Sequence, residues 1–259
     1  MDLVQIIIIA IVQGITEWIP VSSSGHVALL DNVFKLNLGI GFNVAVHLGT
    51  LIAVLVYFSK DIFRIVSEFV AGKWEEGREG RLGWYLIIAT IPAAIAGFLL
   101  KDLIEGTFYN LFIIGFGFLI TSLLLFRGSI TRGNKKINGK KAFYIGLFQI
   151  VSLLPGISRS GSTISGGLLQ GLDEKHALKF SFLMSIPIIL GAGFLDFISG
   201  SFNFNLNIGI AIFFAFIVGL ITIHFLYTKI LIHRKNLKWF AIYALLIGIL
   251  SLVLGFYGF

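Results

Sequence analysis

The chain has 259 residues, 57% hydrophobic and only 13% charged, against about 25% charged in soluble domains. That excludes an ordinary soluble domain, and several apolar runs approach the ~20 residues a spanning helix needs, so a polytopic α-helical membrane protein is expected. The net charge of +7 sits in short loops between apolar runs, which sets membrane orientation rather than nucleic-acid binding, and with no cysteine no disulfide can form.

The N-terminus, MDLVQIIIIA, lacks the basic region of a secretory signal and is expected to be part of the mature fold. Residues 2–19 predict an apolar helix ending at Pro20. A serine-rich turn follows, then a helix over 24–35 that is too short to cross. Such a helix–turn–helix reads as re-entrant, tolerated at membrane depth only where protein or a water-filled cavity surrounds the broken backbone. Spans are expected at 42–58, 82–100 (with Pro92 inside) and 108–127, and an amphipathic helix at 60–71 within the charged loop 59–81. No segment alternates in the manner of a transmembrane β-strand.

After the basic loop RGSITRGNKKINGKK the plan starts again. Residues 142–154 predict a short helix to Pro155, then the turn PGISRSGST and a short helix to about Gly171, with spans at 179–198, 207–228 and 239–258. The chain thus reads as one membrane domain of two repeats, 1–127 and 142–259, joined by loop 128–141. Gln13 precedes its proline by seven residues and Gln149 precedes Pro155 by six. Loops 59–81, 127–141, 173–179 and 229–238 hold 17 of the 20 Lys and Arg, so they are expected in the cytoplasm and both termini outside. Three spans per half is an odd number, which inverts the second repeat relative to the first. The expected fold is all-α: an inverted-topology repeat of six transmembrane helices plus two re-entrant hairpins.

The stretch QGITEWIPVSSSGH sets Gln13 and Glu17 four residues apart on one helix face, followed by Ser22, Ser23, Ser24, Gly25 and His26. In hydrocarbon such a cluster marks a functional site. The second turn adds Ser158, Arg159, Ser160, Gly161, Ser162 and Thr163. Helix N-termini rising from both turns would present free N–H groups to an anion, and Arg159 is a bidentate phosphate ligand. Hydroxyls supply donors or a nucleophile, Glu17 and His26 acid–base groups, and Glu17 could hold Mg²⁺ or Ca²⁺. This inventory fits phosphoryl transfer on a lipid phosphate. Simpler roles compete: serines as N-caps, His26 as a packing residue, Glu17–Arg159 as a structural ion pair, and glycines for close helix packing. Asn43 and His47, four residues apart on the first span, could line the cavity, with interhelical hydrogen bonding the favoured assignment. Asp173, Glu174 and His176 are assigned to capping the next helix, and His224 and His233 to the interface. A transporter or flippase of polyprenyl phosphate or another anion is the alternative, since inverted repeats with broken helices also build carriers.

The motifs QGITEWIPVSSSGH and LPGISRSGSTISGG, with KFSFLMSIPIILGAGFLDF downstream, closely resemble the undecaprenyl-diphosphate phosphatase family, also known for bacitracin resistance. The resemblance covers essentially the whole chain. It implies a membrane hydrolase that removes the terminal phosphate of a polyprenyl diphosphate outside the plasma membrane. The monophosphate carrier is thereby recycled for peptidoglycan or glycan synthesis. It places the motif carboxylate on Glu17, the essential serine and histidine on Ser23 and His26, and the essential arginine on Arg159. Gln13, Ser22, Ser24, Gly25, Ser158, Ser160, Gly161 and Thr163 fall at substrate-binding positions. Many bacterial members carry Glu where this chain has Gln13, so a divalent cation would have Glu17 as its one carboxylate. The nucleophile stays open between Ser23, His26 and water. The expected partners are the lipid diphosphate, membrane lipids and a second copy in a homodimer, with no nucleic acid.

Overall fold

Backbone polar groups in hydrocarbon must be satisfied within their own segment, and the described residues accordingly form helices and no strand. The computed structural model describes residues 2–36, 38, 40–75, 78–108, 110–198, 204–231 and 233–258. Helix α1 (Leu3–Thr16) opens on a capping box in which Asp2 and Gln5 exchange hydrogen bonds of 2.8 and 3.0 Å. Its 14 residues reach roughly 21 Å, short of the ~30 Å hydrocarbon core. The helix ends before the expected residue 19, because the chain turns through residues 17–20 and the residue before a proline disfavours helical geometry.

The first half continues with α2 (Ser23–Phe34), α3 (Ile40–Tyr57), α4 (Ser59–Val70), α5 (Glu79–Leu99), α6 (Lys101–Glu105) and α7 (Leu111–Ile130). The second half comprises α8 (Gly139–Val151), α9 (Arg159–Leu169), α10 (Glu174–Ile198), α11 (Leu206–Phe225) and α12 (Leu237–Phe256). Among the described residues, five helices are long and apolar enough to cross a membrane, α5, α7 and α10 included. Helix α3 joins that set only together with α4, from which it is bent by 77°. Six spans were expected; by length and composition the described residues hold five, or six if the bent pair is one span. The outer faces carry Phe98, Leu123, Leu246 and Phe256, all exposed. Apolar surface on that scale is covered by lipid in a multi-pass membrane protein.

Packing between the halves sets the site. Helix α1 packs on α11 and α8 on α5, while α7 pairs with α12, and α3 packs on both α11 and α10. Ion pairs tie the polar ends: Lys179 Nζ to Asp61 Oδ1 at 2.6 Å, and Arg234 Nη1 to Glu174 Oε1 at 2.8 Å. Asp173 accepts the His176 backbone N–H at 2.9 Å, the capping role expected for that turn. At the centre, buried Trp18 meets Phe182 edge-on at 5.2 Å.

Candidate active site

Both hairpin turns close by the same device. Ser22 N-caps α2, its Oγ accepting the Gly25 N–H at 3.2 Å. Ser158 N-caps α9, its Oγ accepting the Gly161 N–H at 3.0 Å. The hydroxyl two residues on lies 3.3 Å from the cap in each case, Ser24 beside Ser22 and Ser160 beside Ser158. The capping role therefore holds for one serine in each turn. Ser22 sits at φ 69°, a strained conformation for a residue with a Cβ. In the second turn the positive φ, 86°, falls on Gly156, where a Cβ would lie 2.1 Å from the Ile114 carbonyl oxygen. Thr121 of α7 holds this turn, donating to the Gly156 carbonyl at 3.0 Å and accepting the Ser158 N–H at 2.9 Å.

The turns meet through glycines. A Cβ on Gly25 would stand 3.0 Å from the Gly156 Cα and 2.7 Å from the Phe118 ring, and one on Gly161 would stand 3.1 Å from the Pro20 carbonyl oxygen. Ser160 Oγ crosses to the Ile19 carbonyl at 3.4 Å. Contact this close brings Arg159, at the first position of α9, onto Glu17. The Arg159 Nη2 donates to Glu17 Oε1 at 2.5 Å, with the two side chains 13% and 7% exposed. The other oxygen, Oε2, accepts from Ser23 Oγ at 2.6 Å and from Gln13 Nε2 at 3.0 Å. Arg159 also lies 5.7 Å from the Trp18 ring centroid, a cation–π contact. The carboxylate thus fixes a guanidinium, a hydroxyl and an amide from two hairpins, Glu17 and Arg159 lying 142 residues apart in sequence.

These groups face a cavity of about 500 Å³. Its polar lining includes Glu17, Ser22, Ser23, Ser24, Arg159 and Gln149, with Asp31, Asn43, His47 and Ser152 beside them, and Ile157, Ile188, Ile189 and Phe108 belong to its apolar walls. Of the residues singled out in the sequence, Gln13 is buried behind Glu17. Ser158, Ser160, Gly161 and Thr163 are buried in the packed second turn, off the cavity wall, Thr163 bonding the Arg159 carbonyl at 2.9 Å and Ser181 Oγ at 2.6 Å. His26 also lies off the cavity. Its Nδ1 is 2.7 Å from the Ser22 carbonyl, which can only accept, so in the neutral ring Nε2 accepts from the Tyr243 hydroxyl at 2.8 Å. Phe118 packs edge-on against the same ring at 5.2 Å.

Sequence reading undervalued His47. It lines the cavity with Nδ1 on the Asn43 carbonyl at 2.8 Å and Nε2 3.8 Å from Glu17 Oε2. The i, i+4 pairing of Asn43 and His47 was visible; its direction toward Glu17 depends on where α3 packs. Tyr243, on the last helix, carried no local signal.

The donor set does not fit a protein-held Mg²⁺ or Ca²⁺. Such hard ions take several anionic or carbonyl oxygens, whereas Glu17 is already neutralised by Arg159 and bonded at both oxygens, and the other carboxylate on the cavity lining, Asp31, accepts the Leu38 N–H at 3.2 Å. No cluster of three or more metal-ligating side chains occurs among the described residues.

Residues 6–250 match the family model described as bacitracin resistance protein BacA. A protein of Corynebacterium striatum named undecaprenyl-diphosphatase is 40% identical, over 98% of this chain and 95% of its own. Proteins of the same name from Thermosipho melanesiensis and Korarchaeum cryptofilum are 43% and 38% identical, over 96% and 98% of this chain and 98% and 100% of theirs. With a carboxylate, hydroxyl and guanidinium gathered by two matching hairpins, and a match running nearly from end to end, the chain belongs to the bacitracin resistance protein BacA family.

Proposed function

We propose that the protein hydrolyses undecaprenyl diphosphate to undecaprenyl phosphate and inorganic phosphate. The observation that carries this reading is Ser23 hydrogen-bonded to Glu17, with Arg159 on the same carboxylate, at the polar part of an otherwise apolar cavity. The diphosphate lies against Ser23 and Arg159 while the isoprenoid chain follows the apolar wall. Glu17 takes the Ser23 proton as Oγ attacks the terminal phosphorus. The bond to the bridging oxygen breaks and the lipid monophosphate leaves with that electron pair. Water then hydrolyses the phosphoserine, releasing inorganic phosphate and restoring the hydroxyl. Arg159 has donors beyond the one on Glu17, and these stabilise charge on the transferring phosphoryl group. Ser24 and the α2 N-terminus add donors on the same side. His47, 3.8 Å from Glu17, is the nearest group for passing a proton to or from the carboxylate.

The fold reading that accompanies this is an inverted repeat of six spans and two re-entrant hairpins in the plasma membrane, with both termini outside. Its support is the exchange of packing partners, α1 on α11 as α8 on α5, with α7 and α12 paired. The matched serine caps and the placement of basic residues in four loops point the same way. A second copy of the chain in a homodimer is part of this proposal.

The test is phosphate release from a polyprenyl diphosphate by the purified full chain in liposomes. Wild type should release phosphate, and Ser23→Ala should lower the rate at least ~10²-fold with little change in thermal stability. Lipid flipping or anion uptake without phosphate release would establish the transporter reading instead.

A further inference from the structure

Two glutamines occupy corresponding places in the two hairpins, and their surroundings differ. Four residues after Gln13 stands Glu17, which accepts from the Gln13 amide at 3.0 Å. Four residues after Gln149 stands Leu153. Gln149 is 1% exposed, and neither its amide nitrogen nor its amide oxygen has a hydrogen-bond partner. A buried amide unsatisfied at both ends is destabilising, and such a group in a folded protein calls for an explanation.

The cavity supplies one. Gln149 lines it together with Leu153, Glu17, Ser23 and Arg159. The hydroxyl of Ser152, also on this wall, already donates to the backbone carbonyl of Gln149 at 2.7 Å, whereas the Gln149 side-chain amide donates to nothing. Leu153 and Ile157 belong to the same lining and give apolar surface against which a lipid chain could rest. We propose that Gln149 is a substrate-binding residue, its Nε2–H donating to a non-bridging oxygen of the inner, lipid-linked phosphate. Water that enters with the polar headgroup satisfies Oε1. The inference rests on the diphosphatase reading and names the subsite that holds the phosphate retained in the product.

Holding the inner phosphate affects substrate and product alike, and this sets the test. In the purified full chain, KM for the polyprenyl diphosphate and the inhibition constant of the polyprenyl monophosphate should both rise about tenfold in Gln149→Leu, the loss expected for one hydrogen bond to a charged group. The kcat should change less than threefold. Melting temperature should stay level or rise, because leucine removes an unsatisfied amide where a structural glutamine would be missed. Gln149→Met, closer in shape, should behave the same way and serves if the leucine variant fails to fold. Both constants within twofold of wild type in a folded variant would overturn the proposal. A raised KM with unchanged product inhibition would place the amide on the terminal phosphate and overturn it too. Wild type that releases no phosphate would remove the diphosphatase reading itself.

Discussion

The two hairpin turns share one construction and divide the work. Each is a short helix, a proline, a serine N-cap on the N–H three residues ahead, and a second short helix. The first carries the reactive groups, Glu17 and Ser23; the second carries Arg159, and where the first has Gln13 bonded to Glu17 it has Gln149 facing Leu153. The first tolerates a strained φ at Ser22, while the second assigns the positive φ to Gly156. One turn is therefore built to present a hydroxyl beside a carboxylate, and the other to deliver a single cation against it. Two turns with matching serine caps but different side chains beside them give an asymmetric site.

That division can be broken most severely at its one cross-hairpin ion pair. Arg159→Ala leaves Glu17 buried and uncompensated, which should cost ~3–5 kcal/mol of stability and lower phosphate release ~10³-fold. Adding Glu17→Gln to that variant should restore most of the stability and none of the activity. Thermal unfolding and phosphate assays on the two variants separate structural pairing from chemistry. Retained activity in Arg159→Ala would end the assignment of the second turn as the phosphate-binding half.

A smaller change tests the carboxylate count. Gln13→Glu supplies a second carboxylate four residues from Glu17, and a divalent cation should then bind about tenfold more tightly than in wild type, since affinity follows ligand charge. Titration of Mg²⁺ or Ca²⁺ after chelator treatment reads this out. Equal affinity in both proteins would mean that the Gln13 position is too deeply enclosed to contribute.

The smallest effects fall on the caps. Ser158→Ala removes a buried cap and should cost ~1 kcal/mol, with activity within a few-fold of wild type. Ser22→Gly should be nearly neutral, within ~1 kcal/mol, because glycine relieves the strained φ while losing the cap. Equal destabilisation by the two would show that Ser22 bears no strain.

Much of this was legible without coordinates. Apolar runs and prolines placed nearly every helix, and the recurrence of proline followed by serines and glycine located both turns. Helix ends moved by a few residues, at Thr16 because of the bend before Pro20 and at Glu174 because Asp173 caps one turn earlier than the apolar run begins. The bend of 77° between α3 and α4 was not legible, since a hydropathy profile carries no direction.

The sequence by itself determined the class of protein, the two hairpins and the identity of the chemical groups, because membrane insertion and turn chemistry act through nearest neighbours in the chain. Only the tertiary structure decided which groups meet. It turned His26 toward Tyr243, brought His47 beside Glu17, seated the Arg159 guanidinium on that carboxylate and left Gln149 unpaired at the cavity. The meeting of the two turns depends on close approach at Gly25, Gly156 and Gly161, where the missing side chains let two backbones touch. Contacts between residues more than a hundred positions apart follow from packing, and packing has no local signature.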